Sequence, residues 1–188
     1  MSFTMTKLTT ISPANSGNSL SKRSLRAGRL AFAFASIAIL AGCANFQSVK
    51  PGMSVAEAIQ KLGKASTTCK RENGTERLIW TLQPYGQYAW GTDTTPQGTV
   101  VGMQQLLTDA NFQKLATGRW TDQQVLCEFG EPANKDGIAK GNEIVWAYRY
   151  KQDDVWPSMM YVYMGSEGNL AHRFHPGPDP EALREQGR

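Results

Sequence analysis

The sequence predicts an α+β fold of two tandem repeats, each a short helical pair followed by a small antiparallel sheet of three to four strands. Three observations point that way. First, residues recur at a nearly constant offset: Asn111-Phe112-Gln113 repeats Asn45-Phe46-Gln47 66 positions on, and Gly118 and Trp146 follow Gly52 and Trp80 by the same 66. Second, in each copy a helical period ends at a glycine, and strand-like runs begin only after it. Third, the intervals between strand-like runs are too short for the crossovers that parallel pairing requires. The organisation that follows is a leader over 1–42, a first repeat over 43–110, a second over 111–174 and a flexible tail over 175–188. A unit of about 66 residues buries only a thin core, so the two copies are expected to pack against one another.

In the first copy, Gly52 and Ser54 read as a turn into a helix cap, with Glu57 at the capping-box position. Val55, Ala58, Ile59 and Leu62 share one face of a short helix, and Gly63 stops it. Asn73-Gly74 marks a tight turn. Residues 77–82 are strand-like, and Pro84 with Gly86 ends them. Tyr88-Ala89-Trp90 opens a further extended piece, and residues 99–106 read as its returning strand after a polar turn.

The second copy restarts at Asn111. Thr121 takes the cap position, Val125 and Phe129 stand for Ala58 and Leu62, and Gly130 stands for Gly63, each 67 residues on. Pro132 forbids continuation of the helix. Residues 143–148 and 159–164 are strand-like, Asp153-Asp154 is a turn, and Gly165 and Gly168 bracket the last hairpin, which returns over 169–174. From His175 the chain is rich in proline, glycine and charge, which predicts a frayed end.

The leader changes the charge balance. Lys22, Arg23, Arg26 and Arg29 precede an uncharged, mostly apolar run from Leu30 to Leu40, and Leu40-Ala41-Gly42-Cys43 closes it. A basic flank, a short apolar run and small residues before a cut site make a secretory signal. The run is shorter than the about 20 apolar residues of a membrane span. With Lys7, the leader holds five of the 20 basic residues and none of the 16 acidic ones, so the 146 residues from Cys43 onward carry a net charge of −1. That balance does not point to nucleic acid. Cys69 and Cys127 are the other cysteines. After export they either pair or remain separate thiols, and the sequence leaves both readings open.

Catalytic constellations are thin. His172 and His175 are the two histidines, and their spacing on a strand puts them on opposite faces. No Cys-x-x-Cys, Gly-x-Ser-x-Gly or phosphate loop occurs. No metal, cofactor or enzymatic activity is expected. Trp80 and Trp146 are assigned to the core. Alternation leaves other aromatics on an open sheet face, because a small sheet carries helices on one side. The candidate interaction surface is therefore Tyr85, Tyr88, Trp90, Trp156, Met159, Tyr161 and Tyr163.

Two resemblances add to this reading. The run ending at Cys43 resembles the bacterial lipobox, which implies a diacylglycerol (palmitate-type) anchor on the Cys43 sulfur and cleavage before it. Ala44 rather than Asp next to it resembles the sorting pattern for the periplasmic face of the outer membrane. Further on, Gly52-Met53-Ser54 with Ala58, Leu62-Gly63 and Ala65, the second Gly118…Thr121…Val125…Phe129-Gly130-Glu131-Pro132, and the final Tyr161-x-Tyr163-x-Gly165-x-x-Gly168 resemble the outer-membrane assembly factor BamE and the wider SmpA/OmlA family. This chain departs from single-domain BamE in being doubled. The resemblance implies a non-enzymatic protein-binding or assembly factor, acting on an envelope protein in outer-membrane protein assembly or envelope integrity. Tandem units of this kind also look like the secreted β-lactamase inhibitor proteins, which implies the alternative of a periplasmic inhibitor of a hydrolase.

Overall fold

Residues 45–137 and 142–187 are described by the computed structural model. The leader over 1–42 and the lipidation expected at Cys43 lie outside them.

Capping chemistry starts the two helices expected after Ser54 and Thr121 where the sequence places them. A 3-10 turn at Phe46–Ser48 is capped by Asn45, whose side chain accepts from the Gln47 N–H at 3.1 Å. Helix α1 (Val55–Leu62) begins at Ser54, whose Oγ accepts from the Glu57 N–H at 3.1 Å. The Glu57 carboxylate does not complete a capping box; it stands 4.0 Å from Lys61 on the next turn. Helix α2 (Asp109–Phe112) continues into a 3-10 segment at Gln113–Thr117. Helix α3 (Asp122–Phe129) has the full box: Thr121 Oγ1 accepts from the Gln124 N–H, and Gln124 Oε1 accepts from the Thr121 N–H at 2.8 Å. Both α1 and α3 stop at a glycine with φ near +80°, Gly63 and Gly130, where a side chain would be strained.

Among the described residues, ten strands form small antiparallel sheets, which makes the molecule α+β. The first sheet runs β1 (Thr67–Lys70), β2 (Glu76–Thr81), β3 (Ala89–Asp93), β4 (Gln104–Gln105), each paired with the next. A second has the order β6 (Asn134–Gly137), β7 (Ile144–Gln152), β8 (Trp156–Tyr163), β10 (Arg173–Pro178). Between them in sequence, β5 (Trp120–Thr121) pairs with β9 (Leu170–Ala171). The strand expected over 99–106 is broken, a correction. Thr99 and Val100 make single bridges to Ser54 and Thr94, and β4 is two residues long. Gly102 at φ +145° turns the chain between them, and the Val100 N–H and C=O are spent on Met53 and Gly52 at the start of α1.

Packing departs from the expected open sheet face. Strand β2 is buried on both sides: Leu78 and Trp80 on one, Arg77 and Ile79 on the other. Trp80 Nε1 donates to Gly63 O at 2.9 Å, which places its side under the end of α1. Ala58 of α1 packs there with Val49 and Val100. The opposite side, with Ile79 and Ala89, joins the main core with Phe112, Phe129, Trp146 and Tyr148. Phe112 and Phe129 stack at 4.8 Å, and Tyr148 donates to Gly130 O at 3.1 Å. Residues either side of the expected 110/111 boundary thus share one apolar cluster.

The end of the chain is ordered, a second correction. Strand β10 pairs with β8 from Arg173↔Tyr163 to Pro178↔Ser158, and helix α4 (Pro180–Gln186) follows. Pro176 and Pro178 are compatible with pairing because β10 is an edge strand, where a missing N–H facing outward costs nothing. Asp179, 1% exposed, accepts from Arg149 Nε at 2.9 Å and caps α4 through the Glu181 N–H at 3.0 Å. Composition alone hides that anchor.

Candidate functional site

The loop between β2 and β3 is built onto the second sheet. Beyond the end of β6, the edge of β7 is open at Arg149. Gln83 fills it: its amide donates to Arg149 O at 2.7 Å and accepts from the Arg149 N–H at 3.1 Å, as a strand would. The Arg149 side chain donates to Tyr85 O at 3.2 Å and pairs with Asp179. Three chain segments therefore meet at one arginine. Tyr85 is held there at 88% exposure, and Leu183 of α4 is also exposed. Met159 lies directly opposite Arg149, and Trp156, 65% exposed beside exposed Val155, is three residues along β8, about 10 Å away. Of the expected surface residues, Tyr85 and Trp156 are the most exposed; Trp156, an odd number of residues from Met159, projects from the other face of β8.

Met159 does not belong to the surface, a third correction. It faces away from the main core, yet it is 6% exposed, buried where Arg149 and the chain leading into Asp179 converge. Tyr161 and Tyr163 share that outer face and are half-buried. Both rings lie 5.5 Å from His175, and Tyr163 Oη is hydrogen-bonded to His175 Nε2 at 2.9 Å. The Arg173 guanidinium sits 3.3 Å from the centre of the Tyr163 ring and pairs with Glu143, which also takes His172 Nε2 at 2.7 Å. Burial, and then the Asp179 carboxylate, push the Tyr161 hydroxyl above its ordinary value, so it stays protonated and can donate.

Trp90 points elsewhere. It alternates with Ala89 of the main core, lies opposite Trp80 and stacks on Phe46 at 5.4 Å and 10°. The two rings border a shallow hollow of about 350 Å³ with Val49, Lys50, Pro51 and Met103. Tyr88 is at the boundary of exposure beside Ala89. The seven predicted residues are thus divided among a corner, a sheet face and a separate hollow.

Sequence reading missed a larger groove of about 840 Å³ between the β1–β2 turn and α3, lined by Lys70, Arg71, Arg119, Gln124 and the disulfide that joins Cys69 to Cys127. Their Cα atoms are 5.7 Å apart, in the usual range for a bridge. Behind the groove, Glu128 accepts from Arg71 and Arg77 at 2.8 and 2.9 Å and from Lys114 at 2.6 Å. Arg77 also makes a bidentate pair with Asp93 at 2.7 and 2.9 Å. Burial pushes the Glu128 carboxyl upward, but the Lys114 hydrogen bond and the two guanidiniums outweigh it and hold it below the ordinary carboxylate range. Asp93 is lowered for the same reasons, Arg77 prevailing over burial. The signal was there to read. An arginine inside the run Arg77-Leu78-Ile79-Trp80 and a glutamate between Cys127 and Phe129 are charges at buried positions, and such charges need partners.

Among the described residues, no cluster of three or more His, Cys, Asp or Glu could hold a metal ion, and no helix is long and apolar enough to cross a membrane. In comparisons with protein-family models, curated proteins and solved structures, nothing matches the chain.

Proposed function

We propose that this chain is a lipoprotein anchored through Cys43 to the periplasmic face of the outer membrane, and that it works as a non-enzymatic protein-binding or assembly factor. The observation that carries the binding role is the corner at Arg149. Exposed aromatic side chains cost little when scattered on mobile loops; Tyr85 instead stands on a loop that Gln83 and Arg149 hold, and Trp156 opens strand β8. Rigid aromatics lose little entropy on binding, which is why they dominate protein interfaces.

Two copies of a BamE-like unit account for the architecture. In support, both sheets run in the same order, α1 and α3 are each eight residues long, and both end at glycines of matching conformation (φ 81°, ψ 179° and φ 80°, ψ −170°). Each cap residue also pairs with a later residue, Ser54 in a single bridge to Thr99 and Thr121 with Leu170 of β9.

The test is cross-linking of the anchored protein in cells, followed by its isolation with whatever is attached. Recovery of outer-membrane assembly components, reduced in a Tyr85→Ser/Trp156→Ser variant, supports the proposal. Recovery of a soluble hydrolase alone favours the inhibitor reading.

A further inference from the structure

We infer that the hollow formed by Phe46 and Trp90 is the face that lies against the bilayer, and that the second sheet is turned away from it. The inference rests on lipidation of Cys43 and specifies how the anchored molecule stands on the membrane. Covalent reach sets the first constraint. Three residues span at most about 11 Å, so Phe46 lies within that distance of the lipidated residue. The headgroup layer on each side of the hydrocarbon is about 5–8 Å thick. A domain tied that closely cannot turn an arbitrary side to the lipid; the residues around Phe46 meet it first.

Those residues suit an interface. Phe46 and Trp90 stack, and tryptophan favours the boundary between headgroups and acyl chains. Pro51 and Met103 line the same hollow, and Val101, one residue from Gly102 in its wall, is 56% exposed. Lys50 lines the hollow and is exposed. Helix α1, which packs on the same side of the first sheet, carries exposed Lys61 against Glu57 with exposed Lys64 just past its end, in a chain whose mature total is −1. Apolar rings with a lysine at their edge match a bilayer with anionic headgroups.

The strand alternation then fixes the rest. Trp90 and Trp80 face the α1 side of the first sheet, while Ile79 and Ala89 face the main core. The order outward from the lipid is therefore α1 with the 3-10 turn, the first sheet, α3, and the second sheet. Tyr161, Tyr163 and His175 lie on the far side of that stack.

The experiment uses full-length lipidated protein reconstituted in vesicles of phosphatidylethanolamine and phosphatidylglycerol carrying a nitroxide near the headgroup. A fluorophore is placed at Val101→Cys, at Lys50→Cys or at His175→Cys, each an exposed position. Lipidation of Cys43 is read on the same samples by mass spectrometry. The expected result is quenching at positions 101 and 50 that is roughly twofold or more above that at 175, as contact with the interfacial layer demands, and the reverse order with a water-soluble quencher. Equal quenching at all positions, or stronger lipid quenching at 175, overturns the inference while the anchor stands. An unmodified Cys43 overturns the anchor, and the inference falls with it.

Discussion

Replacing both Cys69 and Cys127 by serine removes the one covalent strap between the first sheet and α3. The bridge closes a span of 58 residues, for which chain entropy assigns about 4 kcal/mol to the restriction of the unfolded state. That is a large share of the ~5–15 kcal/mol by which domains are stable. At about 2–4 °C per kcal/mol for a chain of this size, the melting temperature should fall by roughly 8–16 °C. The assay is urea unfolding of a chain beginning at Ala44, oxidised and in the double variant, followed by Trp fluorescence. The folded structure should survive, because Arg71, two residues from Cys69, remains bonded to Glu128, next to Cys127. A loss below about 1 kcal/mol would refute the reasoning, since it would mean that the bridge restricts nothing the unfolded chain explores. So would quantitative alkylation of Cys69 and Cys127 in the native protein.

Three more outcomes follow from the packing. Glu128 and Asp93 have folded-state values below their unfolded ones, so their contribution is complete above the ordinary carboxylate range and is lost as pH falls through the lowered values. The urea midpoint should therefore decline between about pH 5 and pH 2, and Glu128→Gln should flatten that decline. Phe129→Ala empties the stack with Phe112 and should cost about 3–5 kcal/mol in the same titration. Asp179→Ala leaves Arg149 without its carboxylate and should cost about 3 kcal/mol or more. It should also expose α4 to proteolysis before the rest unfolds.

Local signals carried most of the secondary structure. Ser54 and Thr121 as caps, Gly63 and Gly130 as stops, and Asn73-Gly74 as a turn depend on neighbours in sequence, and they sit where those neighbours require. Tertiary choices were less legible. Nothing local indicates that Gln83 will imitate a strand against Arg149, because the two residues are 66 apart and the motif is a side chain acting as backbone. Residues 175–188 look disordered by composition; the order of 175–187 comes from pairing of β10 with β8 and from the buried contact between Asp179 and Arg149. The outer face of the second sheet shows the same limit. Alternation placed Met159 with Tyr161 and Tyr163 correctly, but not the chain that covers it. Likewise the aromatics were expected as a single platform, but Trp90 stacks on Phe46 on the side of the first sheet that faces α1, away from the core the two sheets share.

The central claim is that the corner at Arg149 grips an envelope protein. A photo-activatable amino acid in place of Tyr85 or Trp156, with Thr117 on the rim of the disulfide groove as the reference position, tests it most directly in intact cells. The account predicts adducts with an outer-membrane assembly component at positions 85 and 156 and far weaker ones at 117. Adducts confined to position 117, or none at 85 and 156 while the protein is anchored and folded, would contradict it.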